Sequence, residues 1–129
     1  MSHREAAKGP RFALHYACDA QGRYPAEEFL ASLLPHQARD HAGMLALFQR
    51  FADHGPIHNP EQFKPLAKTD PPLVEFKKGQ ARVFAFYNGA GVLVLLDGVI
   101  KKKDKLDPID IARAQRIRAE HINHQAAGR

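Results

Sequence analysis

Residues 73–105, LVEFKKGQARVFAFYNGAGVLVLLDGVIKKKDK, constrain the fold more than any other part of the chain. They read as three strands in succession, closed by lysines. Residues 73–77 are short and apolar with charges interleaved. A Lys78-Gly79 turn follows, and then residues 80–87, rich in Val, Phe and Tyr. Asn88-Gly89-Ala90-Gly91 is a strong turn signal between apolar runs, and residues 92–100 are nearly continuous hydrophobe. A strand apolar on both faces belongs in the buried middle of a sheet. The meander therefore delivers Lys101, Lys102, Lys103 and Lys105 to one edge of a packed core.

The rest of the chain supplies what would cover that sheet. Residues 1–11 are polar and are expected to be loose. Residues 12–19 set Phe12, Leu14, Tyr16 and Cys18 against Ala13, His15 and Ala17, an alternation that predicts a first strand. Pro25 stands where a helix would begin, with Glu27 and Glu28 in its first turn. Phe29, Leu30, Leu33 and Leu34 form the apolar face of that helix, and Pro35 stops it. The spacing predicts a second helix over 36–54, with Ala38, Ala42, Leu45, Phe48 and Ala52 on one stripe and Leu47 and Phe51 widening it.

Residues 55–72 carry five prolines and read as irregular, anchored by Phe63 and Leu66. Asp107-Pro108-Ile109-Asp110 is a helix start, with a capping Asp and Pro in the first position. On that last helix Ile111, Ala114, Ile117 and His121 share one side. The expected order is β-α-α-β-β-β-α. That is an α+β domain over 12–124, with a small antiparallel-rich sheet, two N-terminal helices on one face and a C-terminal helix. Flexible segments are expected at 1–11 and 125–129.

A chain of 129 residues suits one domain with a real core. It holds no apolar run long enough to span a membrane, and MSHREAAKGPR lacks the apolar segment of a secretory signal. The single cysteine, Cys18, excludes an internal disulfide and suits a reducing, cytoplasmic location. A net charge of +5 favours an anionic partner.

Chemistry concentrates at the sheet edge. With a Lys78-Gly79 hairpin loop, Lys77 faces Gln80, Phe76 faces Ala81 and Glu75 lies across from Arg82. Glu75, Lys77 and Arg82 then project from one face. A guanidinium inside the strand Ala-Arg-Val-Phe-Ala-Phe either pairs with a carboxylate or awaits a phosphate. A lysine run is by itself a solvated loop, but beside a strand-borne arginine it is what a phosphodiester backbone requires. Cleavage of RNA there would send the ribose 2′-OH against the neighbouring phosphorus, with Arg and Lys stabilising the nonbridging oxygens. Such cleavage needs no metal and no cofactor. His121 with His124, and His54 with His58, bring no third ligand at recognised spacing, so no metal site is expected. His54 and His58 stay open as acid–base candidates. No Gly-rich phosphate loop, Ser elbow or CxxC motif is present.

Several short motifs in order carry a family resemblance. They are Gly22-Arg23-Tyr24-Pro25, Glu28-Phe29-Leu30, Gly55, Lys64-Pro65-Leu66 and Leu73-Val74-Glu75-Phe76-Lys77. Arg82-Val83-Phe84, Val94-Leu95-Leu96, the lysines at 101–105 and the stretch from Ile111 through Ala114 to Arg118 continue them. Together they resemble the RelE/ParE superfamily, closest to its phage-derived, HigB-type toxin branch.

The resemblance implies a RelE-like toxin of a type II toxin–antitoxin pair, cutting mRNA on the ribosome without metal. It also implies contacts with rRNA, and a free toxin that is monomeric until it joins a helix-turn-helix antitoxin encoded nearby. By that resemblance Arg82 contacts the scissile phosphate and Lys102 or Lys103 supplements it. Lys77 and Lys64 support substrate or proton transfer, Glu75 orients Arg82 or serves as a base, and Lys78, Lys101 and Lys105 add substrate contacts. RelE places a tyrosine near its C-terminus as a proton-transfer group, and none follows Tyr87 here. The alternative is a non-catalytic member of the same fold, either a gyrase-poisoning ParE-like toxin or an inactive phage-derived remnant. A plain RNA-binding module is the third reading. Against it, Phe84, Phe86 and Tyr87 belong by pattern to the core or its margin, which leaves few aromatics to stack on bases.

Overall fold

The expected meander forms the middle of a single six-stranded sheet in the computed structural model, which describes residues 4–127. Strands β4 (Val74–Lys78), β5 (Ala81–Tyr87) and β6 (Val92–Ile100) pair antiparallel in succession. β2 (Ala13–Tyr16) runs parallel to β6. The chain leaves β2 through helices α1 (Pro25–Ser32) and α2 (Ala38–His54) and re-enters the sheet at its far edge as β3 (Phe63–Pro65). The strand order is β1-β2-β6-β5-β4-β3, with β1 (Glu5–Lys8) as the other edge, and α3 (Pro108–Ala127) follows the sheet.

Two strands more than expected are present, so the order is β-β-α-α-β-β-β-β-α. Residues 1–11 were expected to be loose, yet Glu5–Lys8 pairs antiparallel with β2. The reason is that β6 occupies only one edge of β2, and the other edge needs partners for its N–H and C=O groups. Met1, Ser2 and His3 of that segment lie outside the described residues. The segment 55–72 is irregular except for β3, where Phe63 is buried and Pro65 stands on an edge strand that tolerates it. At the other end α3 continues through Ala127, beyond the expected boundary at 124, and Asn88 Nδ2 donates to Gln125 Oε1 at 3.3 Å. Gly128 and Arg129 lie outside the described residues.

The sheet separates two apolar layers. On one face Ala26 and Leu30 of α1, Leu33 just after it, and Met44, Leu47, Phe48 and Phe51 of α2 pack on Leu14, Phe76, Val83, Ala85, Leu93 and Leu95. Phe48 meets Phe76 edge-on at 5.0 Å, and Phe51 lies 5.2 Å from Phe63. The buried stripe of α2 is Met44-Leu47-Phe48-Phe51-Ala52, whereas Ala38, Ala42 and Leu45 are exposed. The larger side chains take the sheet, and the smaller alanine stripe turns outward. Leu34 is also exposed, in the turn that follows α1.

On the opposite face Ala114 and Ile117 of α3 cover Phe84, Phe86, Val94 and Leu96. The helix begins as predicted, with Ile109 N–H donating to Asp107 Oδ1 at 2.9 Å. His121 is the expected inward histidine of that stripe, and its Nδ1 accepts the Cys18 N–H at 3.0 Å. Among the described residues no helix is long and apolar enough to cross a membrane.

Candidate functional site

Strand alternation decides where Arg82 points. Val83 and Ala85 turn to the α1/α2 layer, so Arg82 shares the α3 face with Phe84 and Phe86. The hairpin register differs from the expected one. Gly79 and Gln80 form the loop, Lys77 pairs with Arg82, and Glu75 pairs with Phe84 instead of Arg82. Gly79 takes a positive φ of 58°, which suits the first position of a two-residue loop, so the turn slides one residue along. Each partner moves by two residues, which leaves every side chain on its predicted face. Glu75, Lys77 and Arg82 therefore do project together.

Glu75 Oε2 lies 3.6 Å from Arg82 Nε, across the diagonal of the register. Arg82 Nη1 donates to the carbonyls of Gly79 at 2.7 Å and Ala81 at 3.0 Å. Both residues are nearly enclosed, with 2% exposure for Glu75 and 8% for Arg82. Burial pushes the Glu75 carboxyl above the usual carboxylate range, opposed by Arg82 first and then by Lys64, Lys77 and Lys101. Burial, and then Lys64, hold the Lys77 ammonium below its ordinary value. Lys77 Nζ donates to the Pro60 carbonyl at 3.2 Å. Lys64 joins from β3, where it pairs directly with Glu75.

Lys101 joins because β6 is bulged. Phe84 pairs with Asp97 and Ala85 with Leu95, so Leu96 is an extra residue and the alternation changes phase there. Before the bulge Val94 and Leu96 face α3, and after it Asp97 and Val99 do, since they pair with Phe84 and Arg82. Ile100 then packs on the α1/α2 layer and Lys101 returns to the side of Arg82. The same bulge presents Asp97 to α3, where Arg113 Nε donates to Oδ2 at 2.6 Å and Arg113 Nη2 reaches Asp110 at 3.0 Å. That bridge pins the start of α3 beside the cations. Lys101, Lys102, Lys103 and Lys105 line an open recess of about 480 Å³ with Val99, Leu106 and Asp110. The nearly buried arginine–glutamate pair adjoins this recess through Lys101, and the two make a cation-rich cradle although neither Arg82 nor Glu75 lines the recess itself.

The profile of the phage derived protein Gp49-like family (DUF891) matches residues 28–119. The chain belongs to that family. Gp49-like proteins are in general toxins of the RelE/HigB type, consistent with a toxin–antitoxin system and an antitoxin partner. No curated protein matches the chain. The Gp49-like span runs from α1 through most of α3 and contains every member of the cation group, while β1 and β2 precede it.

Not every candidate of this Gp49-like chain reaches the cradle. Lys78 lies on the other face, where its stem runs over Gly43 of α2 so closely that any side chain there would collide with it. His54 is the exposed last residue of α2, on the helix that covers the opposite face. His58 is exposed and lines a second groove that also includes Lys64. Tyr87 reads in the sequence only as core margin, yet it is 45% exposed and lines the same groove. The signal lay in its place at the last position of β5, at the end of the sheet. Among the described residues no three His, Cys, Asp or Glu side chains group to hold a metal ion.

Proposed function

We propose that this Gp49-like protein is the toxin of a type II toxin–antitoxin pair, with a RelE-like fold, and that it cleaves mRNA on the ribosome. The observation that carries this is Arg82 with its surroundings: a guanidinium on a central strand, beside Glu75, with Lys64, Lys77 and Lys101 close enough to act on that carboxylate. In the reaction the ribose 2′-oxygen attacks phosphorus and the bond from phosphorus to the 5′-oxygen breaks. The products are a 2′,3′-cyclic phosphate and a 5′-hydroxyl. Arg82 and Lys101, with Lys102 or Lys103, take the charge that builds on the nonbridging oxygens. Glu75, too enclosed to meet substrate freely, orients Arg82. Lys77, with its lowered proton affinity, delivers the proton to the leaving oxygen, and solvent water takes the 2′ proton. Lys105 adds charge along the recess, and a helix-turn-helix antitoxin would silence the site by covering it.

One observation favours the non-catalytic alternative, a gyrase poison or an inactive remnant. Arg82 already spends Nη1 on two carbonyls and exposes little of itself. Translation arrest by wild type and Arg82→Ala separates the readings. Arrest with mRNA cleavage that Arg82→Ala abolishes is the expected result. Equal arrest from both would reject the assignment, and a DNA-damage response without cleavage would point to gyrase.

A further inference from the structure

We propose that the groove beside Tyr87 binds a nucleobase of the RNA whose phosphate lies at Arg82, so that the chain chooses its cleavage position partly by that base. This rests on the reading above. The groove encloses about 500 Å³, within the range of small-ligand sites. Its apolar lining includes Pro56, Ile57, Leu66 and Tyr87. The Tyr87 ring is held in place by Phe12 at 6.0 Å and Phe51 at 6.2 Å, yet it stays 45% exposed. A ring braced on one side and open on the other offers a stacking surface that costs little ordering entropy when a base arrives.

Two residues tie the groove to the cradle. Lys64 lines the groove and acts on Glu75, and Pro60 lines the groove while its carbonyl holds Lys77 Nζ. Tyr87 stands five residues from Arg82 on β5, roughly 17 Å along the strand and on the other face, so the base in the groove belongs to a nucleotide a few positions from the phosphate at Arg82, with Lys64 between them. That continuity with a cation cluster favours an anionic nucleotide over an apolar peptide. The Tyr87 hydroxyl and the His58 imidazole supply the polar groups that read the edge of a splayed base.

Single-stranded RNA oligonucleotides made abasic at each position in turn test this, with binding followed by fluorescence anisotropy for wild type, Tyr87→Leu and Tyr87→Phe. The leucine keeps the packing on Phe12 and Phe51, and thermal melts verify its fold. One abasic position should weaken wild-type binding about tenfold. Tyr87→Leu should weaken binding of intact RNA by a similar factor and erase the difference between intact and abasic strands, while Tyr87→Phe should keep it. Cleavage that depends on Arg82, with no abasic-sensitive position, would sink the groove and leave the cleavage reading standing. Abasic sensitivity lost in Tyr87→Leu, without any cleavage, would uphold the groove and reject cleavage. Tyr87→Leu that binds RNA normally but releases a co-expressed antitoxin would overturn the proposal in favour of a protein segment.

Discussion

Arg82→Ala tests the site and the fold at once, and the two effects can be separated by pH. Removing the guanidinium leaves the Glu75 carboxyl buried at 2% exposure without its nearest counter-charge. Truncating one partner of a buried pair costs about 3–5 kcal/mol. Protonation sets a ceiling on the charge part of that cost. Only about 2.5 pH units separate neutrality from the ordinary glutamate value of 4.5, and at about 1.36 kcal/mol each the carboxyl is neutralised for about 3.4 kcal/mol. A chain of 129 residues melts about 4 °C lower per kcal/mol, so the charge part lowers the melting temperature of Arg82→Ala by at most about 14 °C at pH 7.

The sign follows from Glu75. Its proton affinity is already raised in the folded protein, so its contribution to stability is complete below about pH 4.5 and is lost as pH rises through the folded value. Without Arg82 that value climbs further, and the loss deepens towards neutrality. Melting temperatures of wild type, Arg82→Ala and Arg82→Ala/Glu75→Gln, measured from pH 4.5 to 7.5, should show the single variant falling away as pH rises. The double variant should recover most of the difference. Because it keeps the fold and lacks the guanidinium, it should still lose about 10²–10³ in cleavage rate. A gap that does not change with pH would refute the buried-charge account. Full activity in the double variant would remove Arg82 from the chemistry.

Two further outcomes follow from the same geometry. A Cβ on Gly98 would collide with the Phe29 ring of α1, so Gly98→Ala should cost about 1–3 kcal/mol and lower the melting temperature by several degrees; an unchanged melt would mean α1 does not seat there. Lys64→Ala should weaken RNA binding and flatten its salt dependence by about one phosphate contact, whereas Lys78→Ala, on the opposite face, should leave both unchanged. Anisotropy titrations between about 50 and 200 mM salt decide it, and equal effects from the two lysines would mean that net charge, not position, governs binding.

How much of this was legible in the sequence varies with how local the cause is. The meander, the Asp107-Pro108 helix start and the inward face of α3 were legible because each follows from a few adjacent residues. The edge strands were not. Nothing in Glu5–Lys8 or Phe63–Pro65 marks a strand, and each exists because a neighbouring strand elsewhere in the chain has a free edge. The stripe of α2 was right at Leu47, Phe48, Phe51 and Ala52 but missed at Ala38, Ala42 and Leu45, because alanines and leucines at helical spacing define two competing faces and only the sheet says which one larger side chains will fill.

The candidate site shows the same division more sharply. That Glu75, Lys77 and Arg82 share a face was legible even from a wrong register, because a slip of two residues preserves the face. Lys101 is different. Strict alternation from Val94 and Leu96 would carry Gly98 and Ile100 to the α3 face and send Lys101 to the other. The extra residue at Leu96 reverses this, packs the partly buried Ile100 on the α1/α2 layer, and returns both Asp97 and Lys101 to the α3 face that Arg82 shares. No local pattern announces that bulge in a run of continuous hydrophobes. It arises because Gly98 must lie under Phe29 while Asp97 must meet Arg113, and both demands come from helices that pack on opposite faces. The cation cluster thus depends on the packing of α1 and α3 as much as on the lysines themselves.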